Sequence, residues 1–476
     1  MNRVEAMAAK NADLWKLNAA TLSRAFSLGE LSPAEVVDSI VDRIEKVNPK
    51  LNAIVTLDRD GALEAARQSE RRWKSGEPLG PLDGVPLTVK DNIAVKGMRT
   101  TWGSRLFASH VPDDDELSVA RLRAQGVVIL GKTNAPEFTL QGYTDNPVFG
   151  PTRNPWDIRL TPGGSSGGAV AAVAAGLGPL AIATDGGGSI RRPASYTGLV
   201  GFKPSTGRIA RTNGLPVLLH DFEVAGPIGR CVEDVRLLFS AISGPDPKDR
   251  DSAAFLAIDP KESPALGSLR ILFIPRFGTS PVDPEIAESV AEVPLALKQW
   301  GHSVDAGSPP FSLQDIDRIW SVIGPAGLAW LLRGQDVSLV SPALNRVAEN
   351  GAKLSAADYV GALDATRQVR MAFVEFFEQF DLIMTPSAAA LPWPAEEPFP
   401  ETIDGHPVGP RGHAIFTAFA NVAGLPAISL PCRPSRSGLP IGFQLVAPFG
   451  ADGLLLRMAA EYEKSFPWSL NWPPIE

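Results

Sequence analysis

The sequence predicts an α/β fold built on a large mixed, mostly parallel twisted β-sheet covered by helices on both faces. Three observations predict it. Short apolar runs at 85–89, 127–130, 179–184, 269–274 and 382–385 have the length and composition of buried strands. Helical patterns lie between several of these runs, and strands alternating with helices imply crossover connections and parallel pairing. No internal repeat, low-complexity tract or linker divides the 476 residues. One unit spanning 1–476 is therefore expected, with residues 1–75 as mainly helical packing outside the sheet.

The N-terminal part begins with a clear helix signal. Ser32-Pro33-Ala34-Glu35 is a capping box with proline at the first helical position. Val36, Val37, Ile40, Val41, Ile44 and Val47 then recur at helical spacing, and Asn48-Pro49 is expected to end the helix. The first residues, 1–17, carry charges throughout and lack the apolar stretch of a signal peptide. The longest nonpolar run, 167–183, is built from Ala and Gly and broken by Pro179, so it reads as buried helix followed by buried strand and not as a membrane span. The expected compartment is the cytoplasm.

Composition narrows the function classes. Apolar residues make up 44% and charged residues 21%, the balance of an ordinary globular enzyme. A net charge of −8, with basic pairs such as Arg71-Arg72 and Arg191-Arg192 isolated, offers no footprint for direct nucleic-acid binding. Cys231 and Cys432 form no disulfide framework and no CxxC pair. His110, His220, His302, His406 and His413 stand singly, without HExxH. No metal and no other cofactor is expected.

Two motifs match known spacings without the mechanics. Gly126-Val127-Val128-Ile129-Leu130-Gly131-Lys132-Thr133 fits the P-loop pattern GxxxxGK[ST]. Its interior is strand-forming, whereas a P-loop must curl its amides around phosphate. Gly126 reads instead as the cap of a helix that starts near the acidic stretch 113–116. Gly163-Gly164-Ser165-Ser166-Gly167 fits GxSxG, but the nucleophile elbow needs a strand immediately before the serine. Arg159-Leu160-Thr161-Pro162 is a poor strand, although the histidines leave a Ser-His enzyme formally open.

The chemistry concentrates in two glycine-serine clusters. Gly163-Gly164-Ser165-Ser166-Gly167-Gly168 and Thr184-Asp185-Gly186-Gly187-Gly188-Ser189 bracket one Ala-rich helix and one short strand. That unit returns the chain near its start, so both serines can face one pocket. Each cluster alone would be read as a flexible loop; the pair supplies a nucleophile and a neighbouring hydroxyl. Three successive glycines before Ser189 let backbone N–H groups turn toward one point, as an oxyanion hole requires. The missing base can be a lysine if burial lowers its pKa from roughly 10.4 toward about 7–8. Lys90, at the end of an apolar run, is the candidate, and the positive end of the helix starting near Gly167 would disfavour a second positive charge beside it.

At these residues the chain resembles the amidase signature family. The resemblance is carried by Leu82-Asp83-Gly84-Val85-Pro86, Val89-Lys90-Asp91-Asn92, the Gly-Gly-Ser-Ser-Gly-Gly cluster and the segment from Asp185 to Pro193. It extends through Leu130-Gly131-Lys132-Thr133-Asn134, the segments 201–208 and 226–230, and returns in 423–427 and 438–444. It is strong over 31–245 and again over 381–448; the stretch between, about 246–380, is divergent. The resemblance implies an amidohydrolase acting on linear amides, with Ser189 as acylated nucleophile. Ser165, after a cis peptide bond to Gly164, would bridge it to a neutral Lys90. The N–H groups of Gly186, Gly187, Gly188 and Ser189 would hold the oxyanion, and Ser166, Asp185 and Arg191 would support them. Many relatives carry a bulkier residue where this chain has Gly186, which would loosen the oxyanion loop.

The resulting expectation is a serine hydrolase cleaving a small, apolar or aromatic amide. Carbamates and esters share the tetrahedral chemistry, so urethanase and esterase activity stay open. A glutamine-dependent amidotransferase A-type subunit, working with partner subunits, and a catalytically silent scaffold are the alternatives. A homodimer is also left open. Within the divergent region, Ile319-Trp320, Val322-Ile323 and Leu328-Ala329-Trp330-Leu331-Leu332 read equally as a buried helix or as the wall of an apolar acyl or aryl pocket.

Overall fold

The computed structural model describes residues 13–253, 255 and 266–476. Along the chain run α1 (Ala19–Ser27), α2 (Pro33–Leu51), β1 (Ile54–Leu57), α3 (Arg59–Ser75), β2 (Pro86–Lys90), α4 (Leu117–Ala124), β3 (Val128–Thr133), α5 (Gly167–Ala174), β4 (Leu180–Asp185), α6 (Arg191–Thr197), β5 (Val200–Lys203), β6 (Val224–Gly229) and α7 (Val232–Ile242). There follow β7 (Arg270–Phe273), α8 (Pro284–Gln299), β8 (Ser303–Ala306), α9 (Leu313–Leu331), α10 (Pro342–Gly351), α11 (Ala356–Phe376), β9 (Leu382–Pro386), the hairpin β10 (Thr402–Ile403) and β11 (His406–Pro407), α12 (Ala418–Val422), β12 (Ala427–Pro431), β13 (Gly442–Val446) and α13 (Asp452–Ser465).

Eleven strands form one sheet in the order β1-β3-β2-β4-β6-β5-β12-β13-β9-β7-β8. The sheet is mixed, as expected, but less parallel than the strand–helix alternation suggests. Parallel pairing is confined to β2 with β3 and β4, and to β7 with β8 and β9. The other six pairings are antiparallel. The cause is local: loops, not crossover helices, connect β5 to β6 and β12 to β13. These strands were also hard to read in the sequence. Pro227 sits inside β6 opposite Ile182, and a proline within an apolar run argues against a central strand.

The five apolar runs expected to be strands are β2, β3, β4, β7 and β9, each displaced by only a few residues. Gly126, with φ +76°, follows α4 as its left-handed cap, and the P-loop-like residues continue into β3. The N-terminal region is less purely helical than expected, because Ile54–Leu57 pairs antiparallel with β3 as the sheet's edge strand.

Helix α2 carries the full capping box at Ser32 and Glu35 and buries Val36, Val37, Ile40, Val41, Ile44 and Val47. It does not end at Asn48-Pro49 but continues to Leu51, closing with Asn52 in the left-handed region at φ 52°. Pro49 lies in the last turn, where it removes a single helical bond. The Asn48 side chain secures the exit: its Oδ1 accepts from the N–H groups of Ala53 (2.9 Å) and Ile54 (2.8 Å), and its Nδ2 donates to the Ile54 carbonyl (2.8 Å). Replacing Asn48 with alanine strands those three backbone groups. Asn48→Ala should lower stability by about 1–3 kcal/mol, read as a drop in urea midpoint without a change in the denaturant slope.

Candidate active site

The sheet itself creates the site. Parallel β2 and β4 lie side by side in the register Leu87↔Leu180 and Val89↔Ile182, so their carboxyl ends, Lys90 and Asp185, emerge together. Crevices outside the carboxyl ends of such strands are the usual ligand position in α/β sheets. Lys90 is fully buried, and its Nζ is hydrogen-bonded to Ser165 Oγ at 2.8 Å, Thr184 Oγ1 at 3.0 Å and the Thr184 carbonyl at 3.3 Å. Burial pushes the Lys90 pKa down to about 7, although Glu223 and Asp185 pull the other way by their negative charge.

Ser165 follows a cis peptide bond to Gly164, the geometry that the resemblance implied. Behind it, Ser166 donates from its hydroxyl to the Thr184 carbonyl (3.1 Å) and from its N–H to the Ser189 carbonyl (3.2 Å). That amide bond ties the first glycine-serine cluster to the second. Helix α5 starts directly afterwards. Side chains cannot be added here: a Cβ on Gly168 would lie 2.3 Å from the Asn134 nitrogen. No strand precedes Ser165, so the elbow pattern fails in space as it does in sequence.

The second cluster is folded around Asp185. Arg191 donates from Nε to Asp185 Oδ2 (3.0 Å) and from a terminal nitrogen to Oδ1 (2.9 Å), and both residues are fully buried. Burial alone would raise the Asp185 pKa; Arg191 and the Asn421 amide hold it well below the usual carboxylate range instead. Arg191 also reaches Gln444 Oε1 (2.8 Å), Asn421 Oδ1 (2.6 Å) and the Thr417 carbonyl (3.0 Å), joining β4 to α12 and β13.

The four amides expected to share one role divide. The Gly188 N–H donates to Asp185 Oδ1 at 2.6 Å and is committed there. Among the described residues, the N–H groups of Gly186, Gly187 and Ser189 donate to no protein acceptor. Gly188 has φ +112°, and a Cβ on it would meet Thr417 Oγ1 at 2.1 Å. This glycine is fixed by geometry as well as by its hydrogen bond. At Gly186 a Cβ would lie 2.6 Å from Leu219 Cδ1, so Leu219 occupies the space beside this residue.

Ser189, Gly186 and Gly187 line a cavity of about 630 Å³. Its apolar wall includes Leu140, Tyr143, Leu219, Trp320, Leu344 and Phe399. The 319–332 segment divides between faces of α9: Ile319, Ile323 and Leu328 are core, while Trp320, Gly324 and Pro325 line the cavity. His413 also lines it, but neither ring nitrogen has a hydrogen-bond partner, and burial lowers its pKa well below 6.5. Among the described residues no Ser-His pair is formed.

Several contacts were missed in the sequence. Arg192 reaches the carbonyls of Gly187 (2.5 Å) and Gly164 (3.3 Å) and the Thr417 hydroxyl (2.9 Å), bracing both clusters. Thr184 Oγ1 accepts from Asn92 Nδ2 (2.9 Å) as well as from Lys90. Thr184, Asn92, Arg192 and Gln444 all lie inside the quoted motifs; their roles depend on long-range contacts that spacing does not report. Lys132, the lysine of the P-loop-like run, is buried against the Ile93 carbonyl and the Thr100 hydroxyl, both at 2.6 Å, and faces Asp91 at 3.6 Å.

A family model described as Amidase matches residues 35–456. This chain belongs to the amidase family. The chain is 36% identical to the A-type subunit of a glutamyl-tRNA(Gln) amidotransferase from Symbiobacterium thermophilum, over 94% of this chain and 96% of that protein. It is 35% identical to an acylamidase from Rhodococcus erythropolis, over 96% and 97%. Among solved structures it is similar to a 6-aminohexanoate cyclic dimer hydrolase complexed with substrate (TM-score 0.87, 30% identity, 97% of this chain and 99% of that one). It is also similar to a bacterial aryl acylamidase of the amidase signature family (TM-score 0.86, 30% identity, 95% and 97%). Among the described residues, no helix of the amidase is long and apolar enough to cross a membrane.

A lysine kept neutral by burial destabilises the folded state whenever the unfolded chain can protonate it. With a folded pKa of about 7 against roughly 10.4 unfolded, this cost is complete below pH 7 and fades as pH rises toward 10. Lys90→Met should therefore gain stability relative to the parent as pH falls from 10 to 7, by on the order of several kcal/mol. Urea midpoints measured across that range check it; a pH-independent difference would contradict a neutral lysine.

Proposed function

We propose that this amidase is a cofactor-independent serine hydrolase that cleaves the C–N bond of small linear amides through an acyl-enzyme on Ser189. The observation that carries the reading is the buried Lys90, with a pKa near 7, hydrogen-bonded at 2.8 Å to Ser165 beside the loop that bears Ser189. Neutral Nζ takes the Ser165 proton while Ser165 Oγ takes that of Ser189, and the Ser189 Oγ–carbon bond forms. The amides of Gly186, Gly187 and Ser189 receive the developing oxyanion, while Gly188 fixes their direction through Asp185. Collapse breaks the C–N bond, and the leaving amine takes the proton back through Ser165 from Lys90. Water then repeats the sequence on the acyl carbon. Arg191, Ser166 and Arg192 act as positioning residues.

The apolar wall of the cavity supports apolar or aromatic acyl or amine groups, and carbamates and esters fit the same chemistry. A second reading, an amidotransferase component working with partner subunits, is supported by the names of relatives such as that from Symbiobacterium thermophilum. The cavity weighs against it. A glutamine substrate brings an α-ammonium group beside its α-carboxylate, and among the described lining residues none is an Asp or Glu that could pair with the ammonium. A cytoplasmic enzyme acting alone on a small-molecule amide is the better supported reading.

The purified chain is to be assayed alone on aryl amides, aliphatic amides, carbamates, esters and glutamine. Aryl or aliphatic amides should turn over, with intact mass placing the acyl group on Ser189; Ser189→Ala should lower kcat roughly ten-thousand-fold or more. Acylation of Ser165, or turnover of glutamine alone, would overturn the reading. The ammonium form cannot accept a proton, so kcat/KM should rise through pH 7 and then level off. The rise should persist when His220, His302, His406 or His413 is replaced singly; a limb that disappears with one histidine would indicate a histidine base.

A further inference from the structure

We propose that the preferred substrates carry a carboxylate at the end remote from the scissile amide, bound at the cavity wall by Arg411 and Arg346. This rests on the amidase reading and specifies its substrate class. Both arginines line the same cavity as Ser189 and both are exposed there. The Arg346 side chain has no hydrogen bond or ion pair with any described residue. Arg411 forms no ion pair within 4 Å among the described residues; Asp317 acts on it only through longer-range attraction. Two cations thus share one cavity whose described lining contains no carboxylate to neutralise them.

Arg411 is placed relative to the reacting centre. Its guanidinium lies 5.0 Å from the centre of the Trp320 ring. The same indole packs against the oxyanion loop: a Cβ on Gly187 would lie 3.2 Å from Trp320 Cζ2. Trp320 therefore neighbours both Gly187 and Arg411 on the wall of the same cavity. A substrate lying along the indole, with its carbonyl oxygen at the Gly187 amide, brings its far end to Arg411. The remaining polar groups of the wall favour the same ligand. Arg192 Nε and Trp320 Nε1, on two residues of the lining, are buried donors without partners among the described residues. A guanidinium fork matches a carboxylate in shape as well as charge.

The test is a series of ω-carboxyacyl 4-nitroanilides of increasing chain length, each paired with its methyl ester, assayed with the full chain. The acid should exceed its ester in kcat/KM by roughly tenfold or more, peaking at one spacer length and shrinking as ionic strength rises. Arg411→Met combined with Arg346→Met should bring the acid-to-ester ratio close to one, and Arg411→Lys should restore part of it. Equal rates for acid and ester at every length, or a preference that survives the double substitution, would overturn this inference and leave the amidase reading standing. Turnover of neither series, nor of any simple amide, would remove the amidase reading and this inference with it.

Discussion

The site depends on one costly constraint: a lysine, at the end of a buried strand, whose charged form burial disfavours. An ammonium group in a low-dielectric interior is strongly disfavoured unless it is paired, and the nearest partners of Lys90 are hydroxyl and carbonyl oxygens. Lys132 and Lys203 share the burial, with pKa values pushed to about 8 and about 7. They differ in their partners. Lys132 faces Asp91, and Lys203 donates to the adjacent Pro204 carbonyl at 2.8 Å. Of the three, Lys90 meets a serine hydroxyl. Low pKa alone would not mark a base; in the proposed reaction it is Ser165 that gives Lys90 a proton to accept.

The surroundings of Lys90 keep the neighbouring negative charge from undoing that state. Asp185 sits on the adjacent strand end, yet its carboxylate is spent on Arg191, Asn421 and the Gly188 amide. One buried ion pair thereby shapes the loop. It takes Gly188 out of the set of free amides and leaves Gly186, Gly187 and Ser189 facing the cavity. Removing one member of such a pair leaves an uncompensated buried charge, so the loop's geometry and the protein's stability are coupled at this point. Arg192 and Thr417 extend the brace to α12, which carries the far half of the sheet into the site.

Much of this was legible in the sequence, and the reasons are specific. The apolar runs that became β2, β3 and β4 lie inside the sheet between β1 and β6, where burial on both faces leaves a continuous hydrophobic signal. The paired glycine-serine clusters were visible because they stand at the two ends of the α5–β4 unit, where close packing leaves no room for a side chain at Gly168 or Gly188. The antiparallel half was less visible, since β5, β6, β12 and β13 are short and interrupted by glycine and proline. The commitment of Gly188 to Asp185 could not be read from spacing, because four consecutive amides look equivalent until the carboxylate chooses one. The roles of Asn421 and Gln444 required the C-terminal third to fold back on β4, a long-range event that no local pattern encodes.

The central claim is that Lys90 is a neutral amine at working pH, and its titration can be observed directly. In protein labelled with ¹⁵N at the lysine Nζ positions, the resonance lost in Lys90→Met identifies this side chain among the buried lysines. The account predicts that this resonance titrates with a midpoint near pH 7. A midpoint near the ordinary lysine value of roughly 10.4 would leave Lys90 an ammonium ion beside Ser165 and contradict the proposed proton path.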